Sequence, residues 1–364
     1  MTPVKSIAIY LPQFHPIPEN DKWWGKGFTE WTNVAKAKPL FTGHHQPHVP
    51  TDLGFYDLRL SEARDAQVEL AKEYGISGFC YYHYWFNGQR LLNRPVDEII
   101  RSKKPDFPFM LCWANENWTR TWDGYDKEVL MEQRYSPADD VEHIRFLIKN
   151  FFHDERYIRI DNKPFFLVYR PKLFPDVRAT IERWREEALR HGLELYIGYT
   201  QSFSFTEPPE HSGFDCAVEF QPDFSKMPDP IRPGYRERFL NKFTDYSASV
   251  YYTNNVVSYE AYVDRMIKED SVKENVYKSV FPMWDNSPRR QRQAIIFRDS
   301  TPSLYERWLK HVVDVTRRSN QREKIVFINA WNEWAEGNHL EPCLKWGRSY
   351  LESTRKAFST GQSD

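Results

Sequence analysis

Two glutamates, Glu333 and Glu336, follow an apolar run late in the chain, in the sequence Ile328-Asn-Ala-Trp-Asn-Glu-Trp-Ala-Glu336. Acid–base cleavage of a glycosidic bond needs one carboxyl group to protonate the leaving oxygen and a second to act as base or nucleophile. Indole rings hold the apolar faces of a sugar, and this stretch carries two of them. It therefore predicts a sugar-cleaving site. The alternative, a solvated acidic turn, is disfavoured because such turns rarely contain two tryptophans.

The composition indicates which partners and which cellular location to expect. The chain has 364 residues, with 50 Lys+Arg and 51 Asp+Glu for a formal net charge of −1, so no basic field would attract nucleic acid. No apolar run is long enough to span a membrane, and the N-terminus carries no signal-peptide pattern. Four scattered cysteines are typical of buried thiols in a reducing compartment. We expect a cytoplasmic protein, and the sequence does not indicate its oligomeric state.

Short apolar runs alternate with helical patterns eight times, as expected for parallel strands covered on both faces. The predicted strands are residues 7–11, 78–85, 107–113, 164–169, 195–200, 216–220, 280–284 and 324–330. Helices are predicted over 61–74, 95–102, 136–152, 175–191, 258–268, 302–318 and 348–358. The alternation predicts an α/β fold, a single (β/α)8 TIM barrel. We expect one domain over residues 1–358 and a disordered tail over 359–364.

Two long irregular segments, residues 12–60 after the first strand and 221–279 after the sixth, are predicted to line a site. A doubly wound sheet is the alternative fold. It would normally carry a phosphate-binding glycine loop after a strand, and this chain has no such fingerprint.

Catalytic groups of a TIM barrel lie at the carboxyl ends of its strands, so the strand predictions also predict a site. Polar side chains, most of them beside flat rings, follow the predicted strands. The candidates for substrate binding are His15, His83, Tyr84, Trp85, Asn115, Glu116, Trp118, Tyr169, Gln201, Glu219, Trp284, Asp285, Asn332 and Trp334. The rings over residues 81–86, at the end of the second predicted strand, are equally typical of barrel core. His15 and His83 could instead be buried histidines with satisfied hydrogen bonds. Together these residues predict a pocket for an oligosaccharide or polysaccharide.

Two further groups have alternative interpretations. Glu116 lies in a second Asn-Glu segment flanked by tryptophan and is a possible proton-transfer partner, but it stands alone on its loop, which favours binding a sugar hydroxyl. His44, His45 and His48 resemble metal ligands in their spacing, but adjacent histidines splay their rings and no carboxylate completes the set nearby. We therefore predict no metal and no cofactor.

Five motifs resemble the WbsX-type proteins, which are also described as glycosyl hydrolase family 99-like. They are Tyr10-Leu-Pro-Gln-Phe-His15, Trp23-Trp-Gly-Lys-Gly-Phe-Thr-Glu-Trp31, Cys80-Tyr-Tyr-His-Tyr-Trp-Phe86, Trp113-Ala-Asn-Glu-Asn-Trp118 and Trp331-Asn-Glu-Trp-Ala-Glu-Gly337. The resemblance extends over about residues 7–350. It implies a (β/α)8 barrel, because glycoside hydrolase family 99 proper contains metal-independent retaining endo-α-mannosidases and endo-α-1,2-mannanases with that fold.

The paired-glutamate motif of family 99 proper has the form Asn-Glu-Trp-His-Glu-Gly. The resemblance implies that Glu333 deprotonates the sugar 2-hydroxyl, which attacks C1 to form a 1,2-anhydro intermediate, and that Glu336 is the general acid/base. This is one of the departures from the simple two-carboxylate scheme. Ala335 stands where that motif has histidine, so an imidazole that could contact the sugar is missing, which leaves mannose specificity open.

WbsX-type proteins are named as glycosyltransferases of O-antigen and surface-polysaccharide assembly. A nucleotide-sugar enzyme needs a diphosphate site, and this sequence has no Asp-x-Asp motif. We therefore expect a metal-independent, retaining, endo-acting glycoside hydrolase that acts on a bacterial surface polysaccharide or its precursor. A glycosyltransferase and a carbohydrate-binding barrel without catalysis are the alternatives.

Overall fold

Eight parallel strands form the centre of the computed structural model, which describes residues 3–120, 125–201, 205, 207–234, 239, 250–290 and 292–359. The strands are β1 Lys5–Tyr10, β2 Gly78–Phe86, β3 Phe109–Trp113, β4 Lys163–Val168, β5 Tyr196–Gln201, β6 Cys216–Glu219, β7 Val276–Val280 and β8 Ile325–Ile328. Each pairs in parallel with the next, and β1 pairs with both β2 and β8. The sheet is therefore closed, which confirms the predicted (β/α)8 barrel.

Helices follow most of the strands. They are α1 Pro18–Trp24, α2 Glu30–Lys36, α3 Ser61–Glu73, α4 Arg94–Ser102, α5 Pro137–Leu147, α6 Val177–Arg190, α7 Val250–Thr253, α8 Tyr259–Lys268, α9 Pro302–Arg318 and α10 Ser349–Ser359. Ser136 and Thr301 cap α5 and α9 through their side chains, and each precedes a proline whose fixed φ suits the first helical position. A π-helical turn, Ile148–Phe152, extends α5. No described helix is both long enough and apolar enough to cross a membrane.

Burial on both faces explains the continuous apolar runs of the barrel strands. All nine residues of β2 are buried, and so are all residues of β3 and β8. Close packing inside the barrel requires a glycine at position 198, where an added Cβ would lie 2.6 Å from Sγ of Cys216 and 2.8 Å from Leu167. All four cysteines are buried and free.

The seventh strand lies four residues earlier than predicted. It is Val276–Val280, whereas the apolar run chosen from the sequence was residues 280–284. Lys278 breaks the apolar pattern of the true strand, yet it is buried because Nζ forms ion pairs with Asp270 at 2.5 Å and Glu219 at 3.0 Å. The predicted run contains Pro282, which has no N–H to donate to a neighbouring strand.

The described parts of the two long segments after β1 and β6 contain regular elements. The first contains α1 and α2, which were not predicted. The second contains α7 and the strand Asn255–Ser258, which were not predicted, and α8, which confirms the helix predicted over 258–268. That strand pairs in parallel with Ile295–Arg298, which follows β7. A small second core, formed by Phe41, Tyr251, Val256, Ala294 and Ile296, joins these segments. The tail predicted over 359–364 lies outside the described residues from position 360 onward, and Ser359 ends α10.

Short strand pairs and turns complete the described structure. The antiparallel pairs are Trp118–Arg120 with Tyr125–Met131, Gln89–Leu91 with the end of β2, Arg159–Ile160 with β4, and Asn332–Glu333 with Asn338–His339. The 3-10 turns are Pro171–Leu173, Pro209–Ser212, Phe224–Lys226 and Trp334–Glu336.

Candidate active site

A cavity of about 550 Å³ lies at the carboxyl ends of the barrel strands. Residues that follow β1, β3, β4, β6, β7 and β8 line it, together with side chains from the second half of β2. Glu333 and Glu336 are both among them. The volume falls in the ordinary range for small-ligand pockets, about 300–1,000 Å³.

The segment after β8 places Glu333 by extending alongside β1. The backbone N–H of Trp331 donates to the carbonyl of Ile9 at 2.7 Å. The Asn332 side chain forms two hydrogen bonds with the backbone of Leu11, accepting from its N–H at 2.8 Å and donating to its carbonyl at 3.0 Å. Because β1 is anchored in the barrel, these bonds fix the residue that precedes Glu333.

A tight turn places Glu336. Residues Trp334–Glu336 form a 3-10 turn that ends at Gly337, whose φ is +55°. A Cβ at position 337 would lie 3.2 Å from the backbone nitrogen and oxygen of Asp285, and the Asp285 N–H donates to the carbonyl of Glu336 at 2.7 Å. Glycine is therefore required both by the left-handed backbone and by the close approach of the loop after β7.

One arginine joins the two glutamates. Nη1 of Arg289 donates to Glu336 Oε1 at 2.6 Å, and Nη2 donates to Glu333 Oε2 at 3.0 Å. The other edge of the same guanidinium, Nε and Nη2, donates to Oε1 of Glu30, with an Nε–Oε1 distance of 2.9 Å. Three carboxyl groups, two from the segment after β8 and one from the start of α2, thus share one cation.

Burial dominates the electrostatics of this cluster. It raises the pKa of Glu333 to about 8; Arg289 opposes that rise, and the charges of Glu336 and Glu30 add to it. Burial also raises the pKa of Glu30, although Arg289 opposes it. Glu333 therefore holds its proton at a pH where an exposed glutamate is ionised.

Aromatic rings and a second ion pair form the rest of the wall. Trp118 packs edge to face with Tyr84 at 5.3 Å and with Trp23 at 5.5 Å between ring centroids. Glu116 pairs with Arg170 at 3.2 Å. Flat rings beside charged and amide groups suit a ligand that presents both apolar faces and hydroxyl groups, as a sugar does.

Comparison with known proteins assigns the chain to a family. A family model described as "Glycosyltransferase WbsX" matches residues 6–354. The chain belongs to the WbsX family.

Two relatives of comparable similarity are the WxcX proteins of Xanthomonas campestris pv. campestris strains B100 and ATCC 33913. Each is 42% identical to this chain, over 361 and 360 residues respectively, and each match covers 98% of the chain. The chain spans about half the length of these relatives, because each match covers 50% of theirs.

Solved structures similar to this WbsX family member include the GH99 endo-α-mannosidase of Bacteroides thetaiotaomicron, with a TM-score of 0.57 at 14% identity. That match covers 97% of this chain and 96% of the mannosidase. A glycoside hydrolase-like protein matches with a TM-score of 0.58 at 15% identity, over 98% of this chain and 94% of the other. At this identity the likeness shows the shared barrel fold.

The cavity of this WbsX family member brings together part of the site predicted from the sequence. The predicted residues that line it are Glu333, Glu336, Glu116, Trp118, Tyr84, Tyr169 and Trp284. The other predicted residues lie outside this lining.

His83 and Trp85 lie on the outer face of β2, away from the cavity lining. Side chains of a strand alternate between its faces, so Tyr82 and Tyr84 point into the cavity and their neighbours point away. Nε2 of His83 is 3.0 Å from Nε2 of His143 in α5, and Trp85 Nε1 donates to Asp139 at 3.0 Å. Both residues hold a helix against the barrel.

Two amides bond to backbone groups and a tryptophan bonds to a buried carboxyl group, and none of the three lines the cavity. Asn115 accepts from the Arg170 N–H at 2.7 Å and donates to the Arg170 carbonyl at 2.9 Å, so it joins the loops after β3 and β4. Asn332 has the corresponding role beside β1. Trp334 is buried, stacks on His339 at 3.7 Å between centroids, and donates to Glu341 at 2.6 Å.

Charged partners explain why Asp285 and Glu219 lie outside the cavity lining. Asp285 is buried and accepts from His44 and Gln46, each at 2.6 Å, so it anchors the segment after β1 to the loop after β7. Glu219 pairs with Lys278.

His15 and Gln201 also lie outside the described lining of the cavity. His15 is buried, and that burial lowers its pKa to about 4. Gln201, the last residue of β5, is half-buried.

The predicted histidine motif forms structural contacts. His44 binds Asp285, and Nδ1 of His48 is 2.9 Å from Nε2 of His339. Within the described part of the chain, no group of three or more His, Cys, Asp or Glu side chains could hold a metal ion.

Sequence reasoning missed Arg289 and Glu30. Glu30 was visible only as one letter of a tryptophan-rich motif, and Arg289 lies in a polar stretch that resembles a solvated loop. The available signal was indirect, since two carboxyl groups that share one cavity call for a nearby cation.

Proposed function

We propose that this WbsX family member is a metal-independent, retaining glycoside hydrolase that acts within a bacterial surface polysaccharide or its precursor. The observation that carries the proposal is the joint position of Glu333 and Glu336 on one cavity, bridged by a single guanidinium. Carbohydrate-active chemistry also agrees with the family description and with the fold shared with glycoside hydrolases.

The proposed reaction assigns one step to each glutamate. Glu333 takes the proton of the sugar 2-hydroxyl while O2 attacks C1. The bond from C1 to the leaving oxygen breaks, and Glu336 donates its proton to that oxygen. In the second half, Glu336 takes a proton from water while the water oxygen attacks C1. The C1–O2 bond of the intermediate breaks, and Glu333 returns its proton to O2. Two inversions at C1 retain the anomeric configuration.

Two features of the cluster support these roles. A raised pKa makes ionised Glu333 a stronger base than an exposed glutamate, which suits it to a weakly acidic hydroxyl. Contacts of 2.6 and 3.0 Å to one guanidinium keep the carboxyl groups near each other.

The experiment is a panel of bacterial surface polysaccharides and lipid-linked precursors, incubated with enzyme and analysed by mass spectrometry of released fragments. Glu336→Gln should lower turnover about 10²–10⁴-fold while oligosaccharide still binds. Glu116→Gln is the matched control, a carboxyl of the same cavity that we assign to binding, and it should change KM more than kcat. Undiminished turnover in Glu336→Gln would refute the assignment, and saccharide binding without product from any substrate would favour a non-catalytic barrel.

A second candidate, a glycosyltransferase of polysaccharide assembly, is favoured by the description of the family model. It predicts that a nucleotide sugar raises the melting temperature and that a divalent cation increases the effect. A ligand at 100 times its Kd stabilises by about 2.7 kcal/mol, which a thermal shift readily detects. The hydrolase proposal predicts no such shift.

We also propose that the barrel is one domain and that the protein works in the cytoplasm. The first rests on a single large core that contains every barrel strand, and it predicts one cooperative unfolding transition. The second rests on four free, buried cysteines and is tested by cell fractionation.

A further inference from the structure

We propose that Arg289 is a positioning residue of the site: its guanidinium holds Glu333 and Glu336 at a fixed separation, and Glu30 holds the guanidinium. The inference deepens the proposed function and rests on it for the identity of the two reacting groups. None of the predicted site residues performs this role, and the geometry alone points to it.

The shape of the guanidinium is the first argument. Its planar fork presents hydrogen-bond donors in fixed directions, and Arg289 uses two edges of it. Nη1 reaches Glu336, Nη2 reaches Glu333, and Nε with Nη2 reaches Glu30. A lysine ammonium has three donors on a flexible stem, so it could supply the charge but could not fix two carboxyl groups relative to each other.

Burial is the second argument. The Arg289 side chain is 11% exposed, Glu333 8% and Glu30 0%. A charge held this far from water requires a partner, and removing one member of such a set leaves the others uncompensated. Glu30 is the first residue of α2, so its contact with Nε and Nη2 of Arg289 ties the start of that helix to the guanidinium that bridges the two glutamates.

The charges that face Glu333 are those of Arg289, Glu336 and Glu30, and the hydroxyl groups of Tyr82 and Tyr84 also lie close enough to interact. Arg290 and Glu116 line the same cavity. Of the charges that act on Glu333, Arg289 is positive, and Glu336 and Glu30 are negative. Removing the positive charge and removing a negative charge must move the pKa of Glu333 in opposite directions.

The test is a 13C NMR titration of the Glu333 carboxyl, identified by its loss in Glu333→Gln. Arg289→Gln should raise the titration midpoint and Glu30→Gln should lower it, each by at least about one pH unit, as expected for a charge within about 4–6 Å. No substrate is needed, so this outcome is independent of whether the proposed hydrolysis is correct. Unmoved midpoints, or movement in the same direction, would overturn the inference.

The Arg289→Lys variant keeps the positive charge but lacks the planar guanidinium, so it distinguishes the effect of geometry from that of charge. It should leave the Glu333 midpoint nearly unchanged but lower kcat about 10²-fold with little change in KM, because a small misplacement of reacting groups costs about that much. Full kcat in this variant would contradict the positioning role. If Arg289→Gln fails to fold, Glu30→Gln and Arg289→Lys still decide the question.

Arg64→Gln is the matched control. Arg64 is an equally buried arginine, paired with Glu98 at 2.9 Å outside the cavity lining. The Arg64→Gln variant should be less stable than the wild type, but the titration midpoint of Glu333 should not change. If Glu336→Gln leaves turnover unchanged while the two opposed midpoint shifts appear, the proposed catalytic role of Glu336 fails and the arginine bridge stands.

Discussion

Glu333→Gln should make the protein's stability less dependent on pH. Burial raises the folded-state pKa of Glu333 from its usual 4.5 to about 8, so the folded protein binds this proton more tightly than the unfolded chain does. The resulting stabilisation is complete below about pH 4.5 and is lost as pH rises through about 8. Glutamine is neutral at every pH and has nearly the same shape.

The size of the effect follows from the linkage between proton binding and folding. For each pH unit within that window, the free energy of unfolding of the wild type falls by about 1.4 kcal/mol relative to that of the variant. Between about pH 5.5 and 7.5 the difference in the free energy of unfolding should therefore change by roughly 3 kcal/mol in favour of Glu333→Gln. Denaturant titrations of both proteins at several pH values measure it directly.

The control is Glu323→Gln, which removes an exposed carboxyl paired with Lys5. The difference in the free energy of unfolding between this variant and the wild type should stay nearly constant with pH, because surface ion pairs contribute only about 0–1 kcal/mol. A constant difference for Glu333→Gln as well would show that Glu333 is ionised in the folded protein at neutral pH. That result would refute the argument that burial outweighs Arg289.

Three further outcomes can be measured. With Glu333 as the base, kcat/KM should rise with pH and level off above about 8, whereas a fall through that range would mean that Glu333 must be protonated. Trp118→Ala should weaken oligosaccharide binding about tenfold by calorimetry, since a stacked ring contributes about 1 kcal/mol beyond its buried area; unchanged affinity would remove it from the binding surface. His83→Ala should lower the free energy of unfolding by roughly 3 kcal/mol with affinity unchanged, and weaker binding by the folded variant would return His83 to the site.

The barrel was predictable because its strands are buried on both faces, so they appear in the sequence as continuous apolar runs separated by helical patterns. The same rule explains the error in β7. A buried ion pair makes Lys278 compatible with the interior, but the partners that neutralise it, Asp270 and Glu219, lie elsewhere in the sequence and cannot be paired with it by inspection. The sequence therefore favours the uninterrupted apolar run that follows, although that run contains Pro282.

The site was predictable as a region and less so residue by residue. Knowing that β2 ends near the cavity does not reveal which of its two faces points inward, and a shift of one residue exchanges Tyr84 for His83. Past the strand ends, an amide such as Asn115 or Asn332 is equally suited to a sugar hydroxyl and to a backbone group. In both of these the backbone is the partner.

The arginine bridge could not be read from local sequence, because Glu30 and Arg289 are separated by 259 positions and lie on loops that follow β1 and β7. The need to balance charge nevertheless indicates that a cation must lie near the two glutamates. Two buried carboxyl groups on one cavity are tolerated only beside a cation or with a proton retained, and this site has both, through Arg289 and the raised pKa of Glu333. In relatives with the same spacing of glutamates, the loops after the first and seventh strands are therefore where a compensating pair should be sought. A relative that keeps both glutamates but lacks the arginine should carry another positive charge at that position or titrate its first glutamate at still higher pH.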